Sequence, residues 1–308
     1  MHKKIEKLLD NIGNVFVGNP DTVKTCIAGL LAGGHILIED VPGIGKTILA
    51  KSLARSIDAV FSRIQFTPDM LPSDITGSYV YNQKTEEFSF TQGPVFTNIL
   101  LADEINRTTP RTQSALLECM EEHQVSVEGE TRTLEGLFFV IATQNPVELE
   151  GVYPLPEAQL DRFIMKVTIG YPAVADEMKI IDFHAAGSPV DDLEPVMSVQ
   201  DIVDIREKVE KIHIDEDLKE YAVRIVEQTR EDPSIVLGGS PRASLALIKA
   251  GRAFSFIQGN DFVAPDTVKQ TAVKILSHRI VLTPQARLSG TKPEHVIERM
   301  LDSVDVPE

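Results

Sequence analysis

The sequence predicts an α/β fold in which a parallel five-stranded sheet carries a phosphate-binding loop and an all-α domain follows it. Three observations predict this fold. Apolar, strand-like segments alternate with helical ones as far as about residue 170. The first of these segments runs into a glycine-containing loop and then into a helix. From about residue 172 only helical periodicity remains.

The loop within residues 35–47 has the residues that a phosphate site requires. Gly43 and Gly45 allow backbone N–H groups to turn inward without a Cβ clash. The helix that begins near Lys46 presents unpaired N–H groups and a positive dipole end. A cation there is unfavourable by a few tenths to about 1 kcal/mol unless an anion is bound. Lys46 therefore predicts a bound phosphate, and Thr47 supplies a hydroxyl for Mg²⁺.

The loop differs at one position from the strict G-x-x-x-x-G-K-[ST] pattern, because Asp40 stands where that pattern has glycine. The residues expected to surround the phosphate, Gly43 and residues 45–47, are intact. The alternative is an ordinary glycine-rich turn between a strand and a helix. The Lys-Thr pair that opens the helix favours the phosphate loop.

Length and composition limit the class of protein. A chain of 308 residues is long enough for two domains, which we place at residues 1–171 and 172–308. No apolar run of about 18 residues and no basic-then-apolar leader occurs, so neither membrane insertion nor secretion is expected. The two cysteines, Cys26 and Cys119, form no Cys-x-x-Cys motif and are expected in the core of a cytoplasmic protein.

Charge and histidine placement disfavour two further classes of partner. The formal net charge is −16, and neither predicted domain has a basic surplus, so nucleic acid is disfavoured as the main partner. The seven histidines include no His-Glu-x-x-His motif, which makes protein-bound zinc unlikely.

The first domain contains helices, five strands and two hairpins. The first hairpin combines exposed aromatic residues with a polar turn, and either a partner-binding role or a covering role fits it. The predicted elements are helices near residues 5–12, 21–32 and 111–122; strands beginning at residue 35 and at 61–66, 98–104, 137–145 and 164–169; and hairpins at 78–90 and 124–134.

Two strands end in side chains suited to nucleotide chemistry. Asp103 and Glu104 follow a buried strand, and acids at the carboxyl edge of a parallel sheet lie where ligands bind. Asp103 is expected to hold Mg²⁺, and Glu104 to orient or polarise the attacking water. Asn145 ends the next buried strand, although a turn residue before proline is an equally good local interpretation.

The second domain has one notable position, Arg242, in the first turn of a helix with Ser240 as its N-cap and Pro241 as its first helical residue. A cation there opposes the helix dipole, as at Lys46. The terminal phosphate of a nucleotide would relieve this; the alternative is an arginine that reaches a surface carboxylate. The predicted helices lie at residues 177–186, 199–211, 217–229, 241–256, 265–281 and 293–301.

Taken together, these motifs resemble the AAA+ ATPases, and more closely the MoxR family. The resemblance extends over about residues 10–290 and includes Asp40 in the phosphate loop, which MoxR-like sequences often share. The motifs that carry it are residues 39–47, 103–107, 142–146 and 153–163. It implies a doubly wound AAA+ sheet of order 5-1-4-3-2, an α-helical lid, hexameric rings that bind ATP and Mg²⁺ between subunits, and hairpins that line a central pore.

The resemblance also implies roles for individual residues. Asn145 would be the first sensor, and Arg242 the second sensor, which reports on the γ-phosphate from the lid. Arg162 would be an arginine finger that enters the neighbour's site; its alternative is a rim arginine paired with Asp161. Arg107 and Arg111 could reach a neighbouring subunit, without an assigned role. The implied nucleotide contacts are Val17, Gly18, Pro42, Gly43, Ile44, Gly45, Lys46, Thr47 and Ile48.

The function implied by the resemblance is ATP hydrolysis that drives chaperone-like remodelling, maturation or metal loading of a protein complex. Family members typically work with a partner that contains a von Willebrand factor A domain. Three alternatives keep the same fold: a nucleic-acid motor, a chelatase-like motor subunit, and a switch in which ATP only holds a binding conformation.

Overall fold

The computed structural model describes residues 1–84, 86–147, 151–186 and 190–307. Its first part alternates strands and helices around one central sheet, with two additional hairpins. In chain order the elements are α1 (Lys3–Gly13), α2 (Pro20–Leu31), β1 (His35–Glu39), α3 (Lys46–Ser56), β2 (Phe61–Gln65), α4 (Pro72–Thr76), β3 (Gly77–Asn82), β4 (Glu87–Gln92), β5 (Ile99–Asp103), a 3₁₀ turn (Ile105–Arg107), α5 (Pro110–Glu122), β6 (Gln124–Val127), β7 (Glu130–Thr133), β8 (Phe139–Gln144), α6 (Glu157–Leu160) and β9 (Phe163–Val167).

The second part consists mainly of helices. Its elements are α7 (Val174–Ala186), α8 (Val199–Glu210), α9 (Glu216–Glu231), β10 (Ile235–Leu237), α10 (Pro241–Gln258), α11 (Pro265–Leu276), β11 (Val281–Leu282), α12 (Pro284–Leu288) and α13 (Pro293–Ser303).

The central sheet has the order β2-β5-β8-β1-β9, and all four of its strand pairs are parallel. When its five strands alone are numbered along the chain and read from the other edge, this is the expected 5-1-4-3-2. Strands β5 and β8 are buried along nearly their whole length, as expected for a sheet covered by helices on both faces. The α/β AAA+ fold is therefore confirmed.

Both predicted hairpins are present, each as a separate antiparallel pair. Strands β3 and β4 pair from Gly77 opposite Gln92 to Asn82 opposite Glu87. Strands β6 and β7 pair from Gln124 opposite Thr133. The first hairpin exposes Phe88, which is 69% exposed, so part of its aromatic surface faces solvent.

The second part is not all-α, which corrects the sequence-based expectation. Strands β10 and β11 pair antiparallel, with Ile235 opposite Leu282. The helix predicted to reach residue 281 ends at Leu276 instead, because the β-forming residues that follow it find a partner strand. The signal was weak, since β10 has three residues and β11 has two.

The two predicted domains share a hydrophobic core. One buried cluster contains Leu30 and Ile36 from the first part together with Leu247 and Ile275 from the second. At the N-terminus, the backbone N–H of His2 donates to the carbonyl of Ile257, 3.1 Å away. The division at residues 171 and 172 stays a prediction. Within the described residues, no helix is long and apolar enough to cross a bilayer.

Candidate active site

The phosphate loop joins β1 to α3, and glycine geometry shapes it. Gly45 is the N-cap residue of α3 with a φ of 93°, and Gly43 has a φ of 85°. These are left-handed conformations that glycine adopts at little cost. No atom lies within 4 Å of the position that a Cβ on Gly43 would take, so the constraint there is conformational rather than steric. Both positions therefore use the conformational freedom of glycine.

Lys46 is buried at the start of α3, and its ammonium group donates to the carbonyl oxygen of Asp40. Desolvation lowers the pKa of Lys46, although the negative charges of Asp40, Asp103 and Glu104 oppose that shift. A buried cation at a helix N-terminus is electrostatically unfavourable unless an anion binds there. The arrangement fits a polyphosphate, which would compensate both the burial and the dipole.

Asp40 has a structural role that its position in the loop did not reveal. Its Oδ1 accepts from the N–H of Val41 at 2.9 Å. Its Oδ2 accepts from the N–H groups of Ile169 and Gly170, at 2.8 and 2.7 Å. The carboxylate thus connects the phosphate loop with the segment that follows β9, which explains why a residue other than glycine stands here.

The carboxylate of Asp103 lies at the end of β5 between two side chains. Thr143 donates its hydroxyl hydrogen to Oδ1 at 2.6 Å, and Arg63 donates to Oδ2 at 2.7 Å. The side chain of Arg63 is 46% exposed, so this ion pair lies at the surface of the site rather than in the core. Among the described residues no group of three His, Cys, Asp or Glu side chains could hold a metal. A site built from Thr47, Asp103 and substrate phosphates is the type that Mg²⁺ accepts.

Glu104 has an unusual backbone conformation, with a φ of 58° in the left-handed region. Such conformations in residues other than glycine are uncommon and concentrate at functional sites. Its side-chain Oε2 accepts from Gln65 at 2.7 Å and from Arg107 at 2.9 Å. Its backbone N–H donates to Thr143 Oγ1 at 2.9 Å. These contacts fix Glu104 at the carboxyl edge of the sheet.

Asn145 follows β8 at the same edge and is buried. Its Oδ1 accepts from the N–H of Val147 at 3.1 Å, a turn-type contact that matches the local alternative. Since β8 lies between β1 and β5, Asn145 is nonetheless near the ends of the strands that carry the phosphate loop and Asp103. Its role as a sensor stays a prediction.

A cavity of about 540 Å³ adjoins the phosphate loop, a size that suits a small-molecule ligand. Apolar side chains such as Phe16, Ile180 and Phe183 line it, together with the exposed Tyr171. Six of the nine predicted nucleotide contacts line the cavity: Val17, Gly18, Gly43, Ile44, Gly45 and Ile48. The cavity is therefore suited to the base and sugar of a nucleotide whose phosphates meet the loop.

The two remaining arginines lie elsewhere. Arg162 directly precedes β9, whose Phe163 pairs with His35 at the start of β1. Lys46 comes after the carboxyl end of β1, whereas Arg162 lies at the amino ends of the strands, which we call the amino edge of the sheet. The length of β1, five residues or roughly 16 Å, separates Arg162 from the phosphate loop. Arg242 is at the same edge as Arg162, since both contact Glu121. The structure therefore does not bring Arg162 or Arg242 to Lys46 of its own chain.

The partners of these arginines differ in part from those expected. Arg162 pairs with Glu121 rather than with Asp161, the alternative considered from the sequence. Asp161 instead pairs with the buried Arg279 at 2.7 Å and accepts from Ser240 at 2.6 Å. Arg242 does meet a carboxylate, that of Glu121, as its alternative interpretation anticipated.

Four participants were missed by sequence reasoning: Arg63, Gln65, Thr143 and Glu121. The first three were recognisable only through strand adjacency, because Gln65 lies opposite Asp103 in the register of β2 and β5. Arg111 lies at the exposed start of α5, and Arg107 is occupied with Glu104.

Comparison with known proteins agrees with this fold. Residues 35–165 match the model of the ATPase family associated with various cellular activities (AAA), and residues 227–300 match the AAA lid domain. The crystal structure of a protein from Cytophaga hutchinsonii, provisionally described as an ATPase, superimposes with a TM-score of 0.93 at 40% identity. That match covers 99% of this chain and 96% of the other.

Two curated relatives cover the chain almost completely. The uncharacterized protein YeaC of Bacillus subtilis is 48% identical over 100% of this chain and 96% of its own length. The chaperone MoxR1 of Mycobacterium tuberculosis is 41% identical over 99% of this chain and 82% of its own length. With an AAA core, a lid and these relatives, the chain belongs to the MoxR family of AAA+ ATPases.

Proposed function

We propose that this ATPase uses Mg²⁺ and works as a ring of about six subunits that remodels, matures or metal-loads a protein complex. The chain binds and hydrolyses ATP as a member of the AAA+ family, and its relatives include a named chaperone. The observation that carries the proposal is the separation of the catalytic groups. Lys46, Asp103 and Glu104 lie at the carboxyl ends of the parallel strands, the carboxyl edge of the sheet. Arg162 and Arg242 lie at the amino ends of the strands, the amino edge.

This separation supports a site completed by two subunits. Within one chain, the carboxyl edge supplies a phosphate loop, a Mg²⁺ ligand and a carboxylate for the attacking water, but neither predicted arginine. In a ring, the amino edge of one subunit can face the carboxyl edge of the next. Arg162 and Arg242 would then stabilise charge on the neighbour's transferred phosphoryl group, an effect worth about 10³–10⁵ in rate in related chemistry.

The residues of the site suggest how water is activated. Glu104, held by Gln65 and Arg107, would accept a proton from the attacking water, and Asn145 would help to orient that water. Lys46 would hold the phosphates, while Thr47 and Asp103 would hold Mg²⁺. When bound, Mg²⁺ neutralises charge on the phosphate oxygens.

The client and partner are proposed from the family. A protein with a von Willebrand factor A domain would deliver the client, and the exposed first hairpin around Phe88 would contact it. The net charge of −16 argues against a nucleic-acid client. The cytoplasmic location stays a prediction.

The experiment that tests this proposal is capture with a hydrolysis-deficient variant. Glu104→Gln removes the proton acceptor but keeps the phosphate loop, so the protein should bind ATP and Mg²⁺ without turnover. We expect a particle near six subunits by native mass spectrometry that retains a protein partner from a cell extract. Lys46→Ala, which should not bind ATP, serves as the control. A monomer, or a particle that retains chiefly DNA, would contradict the proposal.

A further inference from the structure

Glu121, in the last turn of α5, contacts both arginines of the amino edge. Its Oε2 accepts from Arg162 at 3.0 Å, and its Oε1 accepts from Arg242. Each carboxylate oxygen therefore serves one guanidinium group. The side chain of Glu121 is 30% exposed, that of Arg162 29% and that of Arg242 49%, so the cluster lies at the surface and its side chains are only partly shielded from water. No feature of the sequence had singled out this carboxylate.

The other carboxylate nearby is already in use. Asp161 pairs with Arg279 and accepts from Ser240. Arg279 also donates to the carbonyl oxygens of Phe163 and Ile164, so it belongs to the buried connection between α11 and β9. Among the described residues, the ion pairs of Arg162 and Arg242 are therefore with Glu121.

Two guanidinium groups so close together repel each other unless a negative charge lies between them. Glu121 supplies that charge from a position that is unfavourable on its own, because an acid in the last turn of a helix opposes the helix dipole. The positive charges of the two arginines compensate both the negative end of the helix dipole and the negative charge of the carboxylate. The cluster of Arg162, Arg242 and Glu121 therefore keeps one net positive charge at the surface.

The contacts also leave donors available. A guanidinium group has five N–H donors, and one carboxylate oxygen uses only one or two of them. A phosphate group that approaches this edge would thus meet two pre-oriented cations that still have unused N–H groups.

We propose that Glu121 is a positioning residue that holds Arg162 and Arg242 as a pair for the active site of the neighbouring subunit. This inference rests on the proposed function, in which the two arginines act in the neighbour's site. Glu121 itself would not touch the nucleotide. Its carboxylate fixes the side chains that do, and a displacement of about 1 Å at a catalytic group can reduce a rate by about a hundredfold.

The test uses rings mixed from two kinds of subunit. Donor subunits carry Glu104→Gln, which inactivates their own site but keeps their arginines. Acceptor subunits carry Arg162→Ala, which keeps the site intact but removes the arginine given to the neighbour. If arginines act between subunits, the mixture hydrolyses ATP faster than either variant alone, because acceptor sites receive Arg162 from donors.

Glu121→Gln is then introduced into one kind of subunit at a time. In the donor we expect the kcat of the mixture to fall by about tenfold to a hundredfold, with the affinity of acceptor sites for a fluorescent ATP analogue unchanged. In the acceptor we expect no change, because that subunit already lacks Arg162. Glu122→Gln in the donor alters an exposed neighbour of Glu121 and serves as the matched control.

Each contrary outcome has a distinct meaning. Equal losses with Glu121→Gln in either subunit would show that Glu121 only supports the fold, and this inference would be wrong. An unchanged or higher rate with the variant in the donor would also overturn it, since Glu121 would then be neutral or restraining. If mixing restores no activity even with Glu121 intact, although native mass spectrometry shows mixed rings, the action of arginines between subunits fails, and this inference fails with it.

Discussion

Replacement of Asp40 by glycine would give the phosphate loop the strict pattern of phosphate-binding loops, yet we expect it to weaken this protein. The carboxylate of Asp40 is buried, with the residue 8% exposed, and it accepts three backbone hydrogen bonds. Their donors are the N–H groups of Val41, Ile169 and Gly170. Two of the three cross from the loop to the end of β9, so Asp40 connects segments that are 129 and 130 residues apart.

The size of the effect follows from these bonds. Hydrogen bonds to a charged group contribute about 1.5–3 kcal/mol each. Ile169 and Gly170 are only half-buried, so water replaces part of the loss when the carboxylate is removed. Added backbone freedom from glycine costs about 0.5–1 kcal/mol more. We therefore expect Asp40→Gly to lower the free energy of unfolding by about 3–5 kcal/mol.

The variant Asp40→Asn tests the charge of this side chain alone, because asparagine has nearly the same size and shape as aspartate but is neutral. The amide oxygen can still accept, but the NH₂ group faces a backbone donor, so we expect a loss of about 1–2 kcal/mol. Urea unfolding followed by far-ultraviolet circular dichroism measures both values. Asp302→Asn, an exposed acid in α13, is the control and should change little. ATP affinity should fall in the order wild type, Asn, Gly.

Two results would refute this reasoning about Asp40. A glycine variant as stable as the wild type would mean that the three hydrogen bonds contribute nothing net. Tighter ATP binding by that variant would mean that the carboxylate repels the phosphates more than it organises the loop, in which case the strict pattern would be the better one for this chain too.

Three further predictions concern other parts of the molecule. Arg279→Met, which leaves Asp161 buried without its cation, should lower the free energy of unfolding by about 3–5 kcal/mol in urea titration. Burial lowers the pKa of His35 to about 3, so below pH 6.5 the unfolded chain binds a proton at this residue that the folded chain does not. As pH drops from 6.5 towards 3, His35 therefore lowers the free energy of unfolding by about 1.4 kcal/mol per pH unit. His35→Gln should remove only the share of His35 from that slope, because burial also lowers the pKa of His278, which keeps its own share. The exposed His295→Gln should leave the slope unchanged, as measured by unfolding from pH 7 to 4. Arg132→Ala should speed hydrogen exchange of the first hairpin, since Arg132 lies over an aromatic ring of that hairpin; an unchanged exchange rate would contradict the contact.

The core sheet could be predicted because its strands are short apolar runs buried on both faces, which is a local pattern. The phosphate loop was equally accessible, since glycine, lysine and threonine must occur in a fixed order near one helix start. The hairpins were recognisable from period-two alternation around polar turns. In contrast, β10 and β11 have only three and two residues. Ile235 pairs with Leu282, which lies far along the chain, so no local signal specifies these strands.

Side-chain partners were the part of the site that could not be predicted. Gln65 and Thr143 contact Glu104 because β2 and β8 lie on either side of β5, a consequence of strand order rather than of sequence distance. The same applies to Arg242, which was expected to meet a phosphate and meets Glu121 in a different helix. Helix-dipole reasoning predicted that an anion is required there, but could not tell which one.

The position of α5 gives the proposed two-subunit site a physical route for coupling. This helix of thirteen residues, about 20 Å long, begins just beyond the 3₁₀ turn that follows Glu104 and ends at the cluster around Glu121. Gln113 donates to the carbonyl oxygens of Ile105 and Thr108, which ties the helix to the turn next to Glu104. A displacement of this turn would therefore be passed along α5 to the carboxylate of Glu121, which contacts Arg162. If the site is completed by two subunits as proposed, one continuous helix would link the state of one nucleotide site to the arginines offered to the next subunit.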